Sequence, residues 1–349
     1  MEHRLSFSCD YLEGAHPAIL QRLCETNFAQ TAGYGTDEYC ESAREKIRAA
    51  CGAPNAEIHF LVGGTQTNAT VIDALLRSYE GVIAADTGHI SVHEAGAIES
   101  TGHKVITLPT TNGKITAQQV QEYVEWHRND ESTEHIVQPG MVYISYPTEG
   151  GTLYSKAELT ELYDVCRRYG LPLFIDGARL GYGVMADGAD LTLPEIAHLC
   201  DVFYIGGTKV GALFGEAVVI MNPALKKDFR FIMKQRGGRM AKGRLLGIQF
   251  DALFTDDLYF RISRHADEMA YQIRDIFVSA GYPLLFDSPT NQQYPIMPDE
   301  ELAILGKNFG YEYWERTDPT HSGVRFCASW ATTQENVDAL RAAVQALKK

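Results

Sequence analysis

Seven short apolar runs closed by turn residues, most of them separated by a stretch of helical periodicity, constrain this chain more than any other feature. They are Glu57 to Val62, Val82 to Ala85, Val105 to Leu108, Met141 to Ser145, Leu173 to Asp176, Val202 to Ile205 and Glu216 to Met221. Parallel strands need a crossover of a dozen or so residues between them, and the crossover helices cover both faces of the sheet, so the strands read as continuous apolar runs. Helices are predicted at Thr65 to Ser78, Ser91 to Ser100, Thr116 to Arg128, Ser155 to Tyr169 and, briefly, around Pro194 to Leu199. Only Val210 to Gly215 separates the last two runs, which is too short for a crossover and predicts an antiparallel join. After Pro223 the pattern turns helical, including Gly243 to Ala280. It then becomes mixed, with strands near Leu284 to Phe286, Tyr311 to Trp314 and Val324 to Ser329, and a last helix from Gln334 to Leu347. The expected fold is α/β. Residues 1–245, with the N-terminal segment, form a large domain on a mainly parallel seven-stranded sheet flanked by helices, and residues 246–349 form a small α+β domain.

Charge narrows the partners. The formal net charge is −14, which opposes binding to nucleic acid or anionic lipid through the global field, so any anion must be held locally. No segment approaches the roughly 18 uninterrupted apolar residues of a membrane span. Seven scattered cysteines offer neither a C-x-x-C metal spacing nor a dense disulfide framework, and the first ten residues carry no secretory pattern. Residence in the cytoplasm is the expectation.

Two of the strand ends carry chemistry. Lys209 lies in the glycine-rich turn Ile205-Gly-Gly-Thr-Lys-Val-Gly211, one crossover after Phe174-Ile-Asp-Gly-Ala-Arg179. Both would sit at the carboxyl edge of the sheet, where open α/β sheets place their ligands. A buried acid such as Asp176 is costly without a cationic partner, and a protonated pyridine nitrogen is one. A partly desolvated lysine is nucleophilic enough to form a Schiff base with an aldehyde. Together they point to pyridoxal 5′-phosphate. Taken singly, Asp176 reads equally as an ion-pair partner of Arg179, and Lys209 as a surface lysine. Leu61-Val-Gly-Gly-Thr-Gln-Thr-Asn68 runs from a strand into a helix, so Gly64 and Thr65 are candidates for a phosphate at a helix N-terminus; Thr208 either helps hold it or caps the turn.

Three further side chains, His89, His93 and Arg325, bear on the chemistry. Asp86-Thr-Gly-His-Ile-Ser-Val-His-Glu-Ala-Gly96 places His89 and His93 on one helical face, a pair that suits a metal only with further ligands. No third ligand motif is evident and no metal is expected. His89 reads better as an imidazole stacked on a cofactor ring, His93 as a packing residue. Arg325, in a strand that alternates toward a core, needs an anion, either a substrate carboxylate or a structural one.

These segments in order resemble the threonine aldolase and beta-eliminating lyase family, pyridoxal phosphate enzymes of the aspartate aminotransferase fold type. The likeness runs from Cys9-Asp-Tyr-Leu-Glu-Gly-Ala-His-Pro17 and Gly33-Tyr-Gly-Thr-Asp37 to Val324-Arg-Phe-Cys-Ala-Ser-Trp330. It implies that Lys209 carries the cofactor, Asp176 faces the pyridine nitrogen, His89 stacks on the ring, and Gly64 and Thr65 take the phosphate. It implies too that Arg179 and Arg325 grip the substrate carboxylate near Ser8 or Cys9, where the family usually has a serine-aspartate pair. The segment Lys234-Gln-Arg-Gly-Gly-Arg-Met-Ala-Lys242 resembles the loop that reaches a neighbouring subunit's phosphate, with Lys242 as the contact in a homodimer or homotetramer with shared sites.

The implied reaction is retro-aldol cleavage of threonine, allo-threonine or a related β-hydroxy-α-amino acid. The rivals are β-elimination on another amino acid, transamination, and a non-catalytic cofactor-binding protein. The chain departs from the family at Tyr146-Pro-Thr-Glu-Gly-Gly151, where an asparagine-threonine-histidine stretch is usual. Thr148 or Glu149 then occupies the histidine's neighbourhood. The order of candidate bases for the β-hydroxyl is His89, Glu94, then a water near Thr148.

Overall fold

The computed structural model describes residues 4–348. All seven predicted runs join one sheet, in the order Glu57–Leu61, Glu216–Ile220, Val202–Gly206, Leu173–Asp176, Gln138–Ser145, Glu80–Ala85 and Val105–Leu108. Only Glu216–Ile220 runs against the rest, as the short join after Val202–Gly206 requires. The central strands are buried throughout, consistent with helices on both faces.

Local signals set the helix ends. Capping boxes open Ala117–Asn129 (Thr116 with Gln119), Lys156–Tyr169 (Ser155 with Glu158) and Leu193–His198 (Thr192 with Glu195). Gly170, in the left-handed conformation, closes the second.

Three expectations are corrected. Ser91 to Ser100 is not one helix but a single turn, His89–Val92, and a 3₁₀ turn, Glu99–Thr101, because Ala95 and Gly96 take positive φ between them. The long helical stretch breaks at Asp256 and Asp257, both left-handed, into Arg244–Leu253 and Leu258–Ser279. Leu284 to Phe286 is no strand; it keeps one isolated bridge, Leu284 to Pro295.

The C-terminal part holds a small antiparallel sheet in which His321–Cys327 pairs with Ile296–Pro298 and Glu312–Arg316, and at its far end with Gln292–Gln293. Leu5–Ser6 pairs in parallel with Phe309–Gly310, and Phe7 packs in the second core with Phe277, Phe309 and Phe326. The helix Leu258–Ser279 serves both cores: Tyr259, Ile262 and Ala266 face the large sheet's cluster, while Met269, Ile273 and Phe277 face the second. No helix among the described residues is long and apolar enough to cross a membrane.

One residue of that helix works against the fold. Asp267 is fully buried and neither carboxylate oxygen has a hydrogen-bond partner. Burial pushes its carboxyl well above the usual carboxylate range, outweighing Arg264. Such a group favours folding only where it is neutral, so stability is lost as pH rises from the unfolded carboxyl's pKa toward the raised one. Asp267→Asn is therefore expected to raise Tm by about 2 °C at pH 8 and by less at pH 5. Calorimetry at the two pH values checks it; an equal or opposite shift rejects the assignment.

Candidate active site

At the carboxyl edge of the large sheet, the strand ends bearing Asp176 and Lys209 lie backbone against backbone. A Cβ on Gly177 would fall 1.9 Å from the Tyr204 carbonyl oxygen, and one on Gly206 2.2 Å from that of Ala178. Glycine at these two places permits the approach. Asp176 and Lys209 thus face one cavity of about 310 Å3, with Gly64, Thr65, His89 and Thr208 also in its wall. The size suits a small cofactor.

Asp176 is 4% exposed and surrounded by donors. Oδ1 accepts from the Tyr204 hydroxyl (2.5 Å) and the Ala178 N–H (3.0 Å), and Oδ2 from the Tyr143 hydroxyl (2.6 Å) and Asn68 Nδ2 (3.0 Å). Burial opposes its charge, but His89 and these donors outweigh burial and hold the carboxyl below the usual range. The alternative pairing with Arg179 does not occur. Arg179 instead forms a two-point ion pair with buried Asp10, Nε to Oδ2 at 2.7 Å and Nη2 to Oδ1 at 3.0 Å. Asp10 would be raised by burial, yet Arg179, Lys209 and Asn291 bring it down to about 2.

Lys209 follows the strand Val202–Gly206 in a turn tied at both ends. Gly207 N and Thr208 N donate to the Gly215 carbonyl at 3.0 and 3.1 Å. Glu216 accepts from Thr208 Oγ1 (2.7 Å) and Gly207 N (3.0 Å). Burial and the neighbouring Arg179 pull the Lys209 ammonium below the ordinary lysine range, against Asp10, Asp176 and Glu216. Burial pushes Glu216 up to about 8. Thr208 therefore both shapes the turn and remains in the cavity wall.

The helix Gly64–Leu75 begins at this cavity with Gly63 as its N-cap and no side chain satisfying its first amides. Uncapped N–H groups with a positive dipole end suit a phosphate. The walls fit pyridoxal phosphate: free amides for an anion, a buried carboxylate for a cationic ring nitrogen, and an amine between them.

His89 Nδ1 lies 2.8 Å from Glu94 Oε1, and Asn68 Nδ2 bridges Glu94 Oε1 (2.8 Å) to Asp176. The Glu94 side chain is wholly buried and outside the cavity wall, so it orients His89 and does not reach a ligand. His93 follows the single turn with its ring 5.6 Å from that of His89. No metal-binding cluster is found among the described residues.

A second cavity of about 420 Å3 opens outward from the first, sharing Tyr11, His89, Glu149, Arg179 and Lys209 and adding Arg325, Glu312 and Trp314. Arg325 is 8% exposed and already engaged: by Glu312, its cross-strand partner, by Gln292 Oε1 (3.1 Å) and by the Ser8 carbonyl (3.2 Å). Ser8 thus meets Arg325 through its backbone, and neither Ser8 nor Cys9 lines either of these two cavities. Lys242 is exposed, in a segment whose Ala241 carbonyl accepts from Tyr34 N, and it lines neither cavity of its own chain.

The sequence of the beta-eliminating lyase family matches residues 7–342. The chain belongs to that family. Within it, the low specificity L-threonine aldolase of Pseudomonas sp. (strain NCIMB 10558) is 30% identical over 346 residues, 98% of this chain and 97% of its own length. The enzyme of the same description from Pseudomonas aeruginosa is 29% identical, over 96% of each chain. A solved structure of Leishmania major threonine aldolase is 42% identical, covers 99% of this chain and 100% of its own, and superposes with a TM-score of 0.96. Thermus thermophilus aspartate aminotransferase, at 14% identity and a TM-score of 0.71, shares the fold.

Some residues around the cavity escape sequence reading. Tyr143 and Tyr204 look like core aromatics, yet each points at Asp176 from a neighbouring strand. Their signal is register: Ser145 pairs with Asp176, so Tyr143, two residues earlier, shares its face. Asp10 and Asn68 give no such signal, since each meets its partner through contacts distant in the chain.

Proposed function

We propose that this chain cleaves L-threonine, L-allo-threonine or a related β-hydroxy-α-amino acid to glycine and an aldehyde, with pyridoxal phosphate as its cofactor. The observation that carries this reading is the ionised, donor-caged Asp176 facing a deprotonatable Lys209 across one cavity, in a chain whose full-length relatives are threonine aldolases. When bound, pyridoxal phosphate supplies an electron sink for the pair released as the Cα–Cβ bond breaks. Asp176 would hold the pyridine nitrogen, Gly64, Thr65 and Thr208 the phosphate, and His89 the ring face. Burial and Arg179 pull the Lys209 ammonium below the ordinary lysine range, which favours the free amine that a Schiff base with an aldehyde requires. Arg179, fixed by Asp10, and Arg325 would orient the substrate carboxylate and so the bond to be cleaved.

The deciding experiment incubates the loaded protein with threonine, allo-threonine, phenylserine and serine. Aldehyde release is expected from the first three. Pyruvate and ammonia from a β-substituted alanine, with no aldehyde, would assign β-elimination instead.

Arg325 has a resident competitor. The Glu312 side chain is half-exposed and bonded to Arg325, so an incoming carboxylate must share or displace it. Glu312→Gln should lower KM for the amino acid about three- to tenfold with kcat nearly unchanged, a modest effect because the pair meets solvent. An unchanged or raised KM in steady-state kinetics rejects this.

The active form in this reading is a homodimer or a dimer of dimers. Exposed Phe28 and Phe231, and the Lys234 to Lys242 segment packed on Tyr34, support an interface through which Lys242 reaches a neighbour's phosphate. We place the reaction in the cytoplasm, supported by seven cysteines that are all unpaired.

A further inference from the structure

Glu149 is a buried carboxylate at the site that the steps above do not use. Its Oε1 accepts from the Ser145 hydroxyl (2.7 Å) and from the backbone N–H of His89 (2.8 Å), while Oε2 has no hydrogen-bond partner. The residue is clamped from both parts of the molecule: its carbonyl accepts from the Tyr294 hydroxyl at 2.7 Å, and Ser145 ends a strand of the large sheet. A buried oxygen left unpaired costs stability, and such costs collect at functional sites.

Its place is informative. Glu149 is one of the five residues common to the inner and outer cavities. A substrate with its amine toward Lys209 and its carboxylate toward the arginines would bring its Cβ hydroxyl to that junction. Of the five, Arg179 is permanently protonated, the Tyr11 phenol is raised further by burial, and Lys209 is committed to the amine. His89 has its Nδ1 engaged by Glu94, and in the functional reading its ring lies against the cofactor face. Thr148, the other residue expected near here, has its hydroxyl bonded to that of Thr152 at 2.7 Å and its side chain buried. Among these groups Glu149 keeps a carboxylate oxygen, Oε2, that no hydrogen bond claims.

We propose that Glu149 is the general base that takes the β-hydroxyl proton in the retro-aldol step; this rests on the functional reading above. The substrate O–H bond breaks and its proton passes to Glu149 Oε2. The C–O bond becomes the aldehyde C=O as the Cα–Cβ bond breaks, and the electron pair remains on the Cα side. Cα then gains one proton to give glycine, and Glu149 returns its own to the medium, so the net reaction neither takes up nor releases protons. Burial raises the Glu149 carboxyl above the usual range, which makes its conjugate base stronger than a surface carboxylate. Asp176 adds to the rise from the neighbouring strand, while Ser145 and the His89 amide oppose it; His89, Arg179 and Lys209 face it from the cavity walls.

The test separates cleavage from the other half of the chemistry. Glu149→Gln keeps the shape and the acceptor oxygen for Ser145 and His89 N. In loaded protein it should lower aldehyde release from threonine about 10²- to 10⁴-fold. It should leave glycine binding by calorimetry, and exchange of the glycine α-proton in D2O by NMR, within about threefold of wild type. Those two readouts need no β-hydroxyl and also report that the variant is folded and loaded. Cleavage within threefold of wild type overturns the proposal. Equal loss of cleavage and exchange also overturns it, because Glu149 would then merely hold His89 in place. Failure of the functional reading looks different: wild type itself would release no aldehyde from any β-hydroxy amino acid.

Discussion

Lys209→Ala is expected to abolish turnover, with kcat down by about 10³-fold or more, and to leave no covalent attachment point for the cofactor. Borohydride reduction of the loaded wild type followed by peptide mass spectrometry should find the pyridoxyl group on Lys209, and the same treatment of the variant should find none. The variant should nonetheless be folded. In the native protein burial and Arg179 depress the lysine's pKa, so its contribution to stability is present above the unfolded value near 10.5 and is lost as pH falls through the depressed one. At pH 7 the wild type therefore carries a cost that alanine removes, and the apo variant should melt no lower than the apo wild type. Loss of activity with an unchanged or higher Tm separates chemistry from misfolding. Wild-type turnover in the variant, or a label on another lysine, rejects the assignment.

The two strand ends on which this prediction turns were legible because their chemistry is local. A lysine among glycines and an aspartate closing an apolar run carry their own signal, and parallel-sheet topology brings successive strand ends to one edge. The sheet itself followed from run length and spacing, and the antiparallel strand from a connection too short to cross over. What surrounds the pair was harder to read. Arg325 reads as needing an anion and Arg179 as a partner for Asp176, but their partners are Glu312 and Asp10, and no spacing in the chain announces either. The His89 segment reads as a helix from composition, but the helix stops at Val92 and Glu94, two residues on, bonds back to His89 Nδ1. Glu94, ranked from sequence as a base, is thereby spent on orientation. Glu149, whose neighbourhood is marked in the sequence only by the absence of a histidine, lines both cavities and keeps one oxygen without a hydrogen-bond partner.

Asp176→Asn tests the other wall. Asp176 stays ionised at working pH although burial opposes its charge, because the nearby His89 and the donors Tyr143, Tyr204 and Ala178 N hold its carboxyl below the usual range. Asparagine keeps the shape but exchanges one acceptor oxygen for an N–H donor. The Oδ2 side now receives from both Tyr143 and Asn68, and the Oδ1 side from Tyr204 and Ala178 N, so either orientation sets the new amide against donors that must turn away or lose a partner. Two losses follow. The ring nitrogen of a bound cofactor meets no charge, which should weaken cofactor affinity at least tenfold in equilibrium dialysis. The electron pair at Cα is then less well stabilised, which should lower kcat by about 10²- to 10³-fold even at saturating cofactor. The depressed pKa fixes the pH dependence: protonation of Asp176 begins only below the ordinary carboxylate range, so the deficit should be the same from pH 6 to pH 9. Tyr143→Phe removes one donor and keeps the charge, so it should cost far less. A deficit in Asp176→Asn that disappears as pH falls, or one no larger than that of Tyr143→Phe, would mean that Asp176 serves the packing of the strand ends and that its charge has no part in the reaction.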